Sequence, residues 1–508
     1  MSIISVEELH QEIDEAKNQQ FDLVIEIQFY SVWCSFFTVL PPELEAIIYS
    51  ELSFFAENYF FSPKFQNHQW DGQYHLYHPK SKSFRIGLLN RVIDILQRHG
   101  CTINVIGKPE PTQFVQRSNT YQLRPYQFLA VQDCLAKRYG ILQAPPRAGK
   151  TMLVIAITDS ERKFPVVFFC RSLDLAYQTV ERFKQFLPNV SVGIVGDGKV
   201  DIQDVTIITV QSAFSAFGKE LKEKDMFDEL PLEKKQKILI QILLKKAKIV
   251  FYDEVHHVKS NSSKFVLSKC TAAELKIGLS ATPFSEKDED MLVEEAVGDI
   301  IHNVTYSELI REGFLLRPTI YFYKLPKFDL DAAYPTIYKQ AVVENKFFIG
   351  LIDLIVKSLN KKGRSVVIQT DTIYHAKNLH KYLEGSVVLT GKDTTERRQD
   401  VIQKIREKKI MCCISTLFEE GIDLPLLDFT INAAGGLSNI STLQRMRSIT
   451  AVEGKTSCGI IDFYHDVRYL SKHSKRRLQI YESEPEFELI KRDVSKNTIE
   501  ELARELEE

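Results

Sequence analysis

The sequence predicts an α/β chain: two open parallel sheets behind a small α+β domain. Three observations predict it. From about Tyr139 onward, short β-branched or aromatic runs alternate with stretches of helical period, the rhythm of parallel-sheet units, and they do so in two series. Between the series, residues 312–327 carry Gly313, Pro318 and Pro326 and lose the helical period, which marks a connection between domains. At 508 residues the chain is also well beyond the size, ~250–300 residues, at which a single core stops growing.

Taken in order, residues 1–113 form an aromatic-rich block with Phe60, Phe61, Trp70, Tyr74 and Tyr77, closed by Lys108-Pro-Glu-Pro111; this reads as the α+β domain and a linker. Strand-like runs at 140–144, 165–170, 205–210, 248–252 and 275–279 place a first sheet domain over 114–314. Runs at 365–370, 386–389, 410–415, 429–433 and 457–463 place a second over 315–481. Within the first, the Lys-, Glu- and Leu-rich stretch 219–248 predicts an inserted, solvated helical pair. Residues 482–508 are acidic and predict a helical or frayed tail.

Bulk composition narrows the function classes. Hydrophobic residues make up 44% and charged residues 26%, which excludes a largely disordered chain. A net charge of −2 provides no global basic field, so any contact with phosphates has to come from local patches. The eight cysteines form no C-x-x-C pair and most sit in apolar runs, the pattern of reduced core thiols rather than metal ligands. No apolar stretch approaches the ~20 residues of a membrane span, and no signal-peptide pattern opens the chain, so a cytoplasmic protein without membrane contact is expected.

Chemistry concentrates in three places. Ala144, Pro145, Pro146, Arg147, Ala148, Gly149, Lys150 and Thr151 follow an apolar strand and open a helix. Such a loop cradles phosphates with backbone N–H groups; Lys150 reaches the β and γ phosphates of a nucleotide, and the Thr151 hydroxyl holds Mg²⁺. Ala144 stands where the general pattern has its first glycine, and Arg147 where a small residue is usual. A hundred residues on, a buried strand ends in Asp253 and Glu254, placed to bind the metal through water and to polarise an attacking water. His256 is a candidate for coupling hydrolysis to domain movement, whereas His257 reads as a loop residue without a role. Ser280, Ala281 and Thr282 end another apolar strand with small hydroxyl residues that can relay the state of a γ-phosphate.

In this order, the three segments resemble motifs I, II and III of superfamily-two helicases, and Leu123-Arg-Pro-Tyr-Gln127 looks like their adenine-side segment, through Arg124, Tyr126 and Gln127. Residues 415–423, with Gly421 and Asp423, look like motif V. The resemblance covers roughly 120–465 and implies two tandem RecA-like domains with ATP and Mg²⁺ as cofactors. Residues 61–72, with Gly87 after them, resemble the leading domain of phage UvsW-type recombination and branch-migration helicases. That implies a substrate of duplex, forked or four-way-junction DNA, and a host-cytoplasm location if the chain is viral. In this block Lys64, Asn67 and His68 are candidates for touching phosphate, and Trp70 reads as a core aromatic.

One motif departs from the pattern. Gln444 and Arg447 match the start of motif VI, but Thr450 or Ala451 stands where the family has its last arginine, the finger onto the γ-phosphate. Such a finger is worth ~10³–10⁵ in rate in related phosphoryl-transfer enzymes; Arg445 or Arg447 could substitute, with Lys455 a more distant candidate. Residues just after strands are placed by analogy on DNA: Arg171, Ser172, Gln211 and Ser212 in the first domain, Thr390, Gly391, Ser415 and Thr416 in the second. The cluster 472–477 adds a basic patch or a solvated helix face. The expected protein is a monomeric ATP-dependent DNA helicase or translocase acting in recombination, repair or replication. The alternatives are an RNA helicase, a restriction-system motor, and an ATP-gated DNA-binding protein that hydrolyses little.

Overall fold

Alternating apolar residues set the leading lobe. In Val24–Phe29 every second side chain is buried, as one face of a sheet requires, and Ile25, Ile27 and Phe29 meet Phe84 and the inner faces of helices Pro42–Glu51 and Leu89–Arg98. The computed structural model describes residues 20–217, 231–284, 288–416, 426–436, 455 and 457–494. The lobe's sheet runs Tyr77–His78, Ser83–Arg85, Trp33–Phe36, Val24–Phe29, Thr102–Ile106, with its last pair parallel and the others antiparallel, so α+β is the observed class.

This lobe does not stand apart. Its core continues into Tyr139 and Leu292 of the first sheet domain, and the two make one compact unit; residues from Val304 onward, with Pro145–Ala148, belong to a second. At the seam, Arg91 grips Glu294 with two nitrogens, Nη2 at 2.6 Å and Nε at 3.0 Å, and Asn90 donates to Asp299 at 3.1 Å. Gly87 lies against the helix Met291–Val297: a Cβ there would be 1.9 Å from the carbonyl oxygen of Glu294. Gly87→Ala is therefore expected to cost about 1–3 kcal/mol by overpacking. The check is a lower melting temperature with faster proteolytic cleavage in the connecting stretch 107–113; an unchanged melt would show that the lobe is not held at this point.

The first sheet runs Lys199–Val200, Val192–Gly196, Val205–Thr209, Val166–Cys170, Ile249–Asp253, Leu275–Ser280, Tyr139–Gln143, Ile300–Asn303. All its pairs are parallel except the first. Its inner strands are buried on both faces, which is why they read as continuous apolar runs. Of the predicted inserted pair, the helix Leu232–Lys246 is described and packs Ile240, Leu243 and Leu244 onto this domain; residues 218–230 lie outside the described residues.

The second sheet is all parallel, in the order Val387–Leu389, Cys412–Ser415, Val366–Gln369, Phe429–Asn432, Cys458–Tyr464, Pro318–Lys324, Glu488–Asp493. Two of these strands correct the sequence reading. Pro318–Lys324 falls in the stretch expected to be a connection, yet its Thr-Ile-Tyr-Phe-Tyr run is strand-forming, and the prolines that suggested a linker only bracket it. Glu488–Asp493 falls in the expected acidic tail and pairs with Pro318–Lys324 as an edge, where charged side chains are at home. The eight cysteines are free and buried, as reduced core thiols. Among the described residues no helix is long and apolar enough to cross a membrane.

Candidate active site

Strand order brings the predicted motifs together. Ile249–Asp253, Leu275–Ser280 and Tyr139–Gln143 are neighbours, so Asp253, Ser280 and the loop after Gln143 emerge side by side at the carboxyl ends of three adjacent parallel strands. The Ala144 N–H donates to the Ser280 carbonyl at 2.9 Å, tying the start of the loop to the neighbouring strand. Arg147 at φ +74° and Gly149 at φ +81° turn the chain into the helix Lys150–Glu161. Arginine in the left-handed region is uncommon, and this explains why a small residue is usual there. Gly149 has a second constraint, since a Cβ there would lie 2.5 Å from Gln127 Nε2. Gln127 thus lies against the phosphate loop, its Oε1 accepting from the Arg124 N–H at 3.0 Å. Tyr126 is buried, with its hydroxyl accepting from Arg124 Nη1 at 3.4 Å, so it supports Arg124 from the core.

The acids and the relay residues form one connected group. Lys150 Nζ lies 3.4 Å from Glu254 Oε1. The other oxygen of Glu254 accepts from Ser280 Oγ at 3.5 Å and lies 3.4 Å from His256 Nδ1, which is itself 3.1 Å from Ser280 Oγ. The Thr282 N–H donates to Ser280 Oγ at 3.1 Å, and Gln143 Nε2 to the Ala281 carbonyl at 3.2 Å. Glu254 sits at φ +49°, a strained conformation of the kind that clusters at functional sites. Beside Asp253, Cys170 is inert: burial pushes its thiol up to about 12, with the Asp253 charge adding to the effect.

A magnesium ion fits this donor set. Thr151 supplies a hydroxyl at the first turn of its helix and Asp253 a carboxylate at its strand end.

Elsewhere the placements are mixed. His257, expected to have no role, meets Arg171 Nη1 at 2.5 Å and packs on His256 with ring centroids 3.9 Å apart; the adjacent histidine pair was the only signal in the sequence. Ser172 and Thr209 cap helices, accepting from the Leu175 and Ser212 N–H groups, and Gln211 is exposed in the same turn as Ser212. In the second domain Thr390 gives both its N–H and its hydroxyl to Asp393, and Ser415 donates to the Leu389 carbonyl, while Gly391 is exposed. Thr416 follows directly on the strand end. Lys64 and His68 are exposed, and Trp70 is half-buried, donating to the Gln73 carbonyl. Lys455 is buried, and burial pulls its ammonium down to about 8. Gly421, Asp423, Gln444 and Arg447 lie outside the described residues.

A strand-loop-helix of the shape that takes phosphate is joined through Lys150 to an acid-serine-histidine group on the adjacent strands, the arrangement a nucleotide-driven motor requires. The chain belongs to the superfamily-two helicases: residues 120–285 match the family model of the type III restriction enzyme res subunit, and residues 348–447 that of the helicase conserved C-terminal domain. It is similar to putative helicase 22 of Sulfolobus islandicus filamentous virus, at 24% identity over 72% of this chain and 68% of that one. It is also similar to the DNA 3'-5' translocase XPB2 of Sulfurisphaera tokodaii, at 24% identity over 66% and 80%. The crystal structure of phage T4 UvsW aligns with 92% of this chain and 99% of that one, at 18% identity and a TM-score of 0.45.

Proposed function

We propose that this chain is an ATP-driven DNA translocase that unwinds or branch-migrates duplex, forked or four-way DNA in recombination, repair or replication. The observation that carries the motor reading is the Lys150–Glu254–Ser280–His256 group: a phosphate-loop lysine, a general base and a relay in one hydrogen-bonded array. Lys150 is held by Glu254 and turns to the β and γ phosphates when ATP enters, which frees Glu254 to accept a proton from the attacking water. Backbone N–H groups of 147–150 and the helix start hold the phosphates, Pro145 and Pro146 having no N–H to offer. Bound Mg²⁺, held by Thr151 and Asp253, supplies charge neutralisation at the phosphates. Ser280 touches both Glu254 and His256, so loss of the γ-phosphate is felt at His256 and, through its packing, at His257 and Arg171.

DNA as the track is supported by the relative named as a DNA translocase. Arg171, Gln211, Gly391 and Thr416 are the strand-end contacts, and Lys64 and His68 offer a second grip from the leading lobe. The altered motif VI favours one other reading, an ATP-gated binder that hydrolyses little. The test is ATP turnover by the purified chain with no nucleic acid, single strands, duplex, a four-way junction and RNA. Stimulation of at least tenfold by duplex or junction over RNA is the expected result. Equal or greater stimulation by RNA would overturn the DNA assignment, and ATP binding without turnover under any condition would establish the gated binder.

A further inference from the structure

The seam between the leading lobe and the first sheet domain holds a partly open cavity of about 200 Å³, against the ~10–15 Å³ a single water needs. Its wall is electrostatically unbalanced. Lys276 enters from the strand Leu275–Ser280, Lys264 from the helix Asn261–Ser268 and Arg85 from the strand Ser83–Arg85, while among the described residues Glu295 is the one carboxylate that lines it.

Lys276 makes the imbalance costly. It is only 3% exposed, and among the described residues the one hydrogen bond of its ammonium goes to the Ser31 carbonyl, at 2.6 Å. Buried charges are ordinarily paired. Here burial lowers the ammonium to about 8, with Cys270 opposing and the Arg85 charge acting in the same direction as burial. Glu295 compensates the other two cations weakly, 3.8 Å from Lys264 and 4.0 Å from Arg85, and its own burial raises its pKa. Glu289 acts on Lys264 from further out. Arg85 is fixed by stacking, its guanidinium 4.1 Å from the centre of the Trp33 ring.

We infer that this cavity is an anion site that takes one phosphate group, held by Lys276, Lys264 and Arg85. Three cations converging from two lobes suit a compact oxyanion, and Glu295 sets a limit on how much negative charge the site accepts. Because Arg85 belongs to the leading lobe and both lysines to the motor, an occupant bridges the seam. Either free phosphate, the product of ATP hydrolysis, or a backbone phosphate of nucleic acid has the chemistry required.

Trp33 serves as the reporter, because the chain has two tryptophans and Trp70→Phe leaves Trp33 alone. In that variant, phosphate, sulfate and a short oligonucleotide are titrated in turn against chloride at matched ionic strength. A saturable change in Trp33 fluorescence is expected, and Lys276→Met should weaken it tenfold or more, the usual effect of removing a charged hydrogen-bond donor. Methionine there removes a buried charge at similar volume, so the variant is expected to fold, which its thermal melt verifies; Lys264→Met provides a second, independent loss. Saturation by phosphate and sulfate identifies a free anion as the occupant, and saturation by the oligonucleotide alone identifies the nucleic-acid backbone. Absence of a saturable response to all three, or a response unaltered by both substitutions, overturns the site. None of these outcomes depends on whether the motor prefers DNA.

Discussion

Lys150→Ala is expected to lower ATP turnover by about 10²–10³-fold or more, the scale seen when one preorganised donor to a reacting group is removed. The fold should survive. Lys150 contributes one loose ion pair at 3.4 Å to Glu254, and Glu254 keeps Ser280 as a hydrogen-bond partner when the lysine is gone, so a stability change within about 1 kcal/mol is expected. The measurement is phosphate release at saturating ATP with the best nucleic-acid activator, next to a thermal melt. Glu254→Gln separates the two roles: turnover falls comparably, but nucleotide binding persists because Lys150 and the loop are intact. Turnover at the wild-type rate in Lys150→Ala would move the ATP site away from this loop and sink the motor assignment.

How much of the fold and site is legible in the sequence depends on what kind of signal each part carries. Strands buried on both faces announce themselves: Val166–Cys170, Val205–Thr209 and Ile249–Asp253 lie within a residue of where their apolar runs place them. Val192–Gly196 escapes such a reading because glycines occupy two of its five positions and a turn follows at once. Glu488–Asp493 escapes it because an edge strand needs no apolar face, and its charges resemble those of a tail. The phosphate loop and the acids are legible from spacing. Their convergence is not, since it depends on strand order, which places Leu275–Ser280 between Ile249–Asp253 and Tyr139–Gln143. The seam is equally silent: nothing local to Lys276 or Arg85 states that they face one cavity.

The cluster 472–477 shows the same limit in reverse, and it leads to the second large effect. Arg477 reads as part of a basic surface, yet it is fully buried. Its Nε lies 2.9 Å and 3.2 Å from the two oxygens of Asp462, and Nη1 and Nη2 donate to the carbonyls of Gly436 and Phe463, each at 2.8 Å. Tyr481 donates to the same carboxylate at 2.9 Å. Arg477→Met strands a desolvated carboxylate, the buried Phe463 carbonyl and the partly buried Gly436 carbonyl, so the second domain is expected to lose about 3–5 kcal/mol. Removing both charges in Arg477→Met/Asp462→Leu should recover roughly half of that or more, because the cost lies in the orphaned partner rather than in the missing attraction. Urea unfolding of the wild type and the two variants reads the difference. A functional loss is expected too: Arg477 fixes the Gly436 carbonyl, eight residues ahead of Gln444 in the sequence. Stability restored in the double variant with turnover still depressed would separate the anchoring role from the stabilising one. Equal instability in both variants would show instead that the attraction between Arg477 and Asp462 itself stabilises the domain, and that the orphaned carboxylate adds little to the cost.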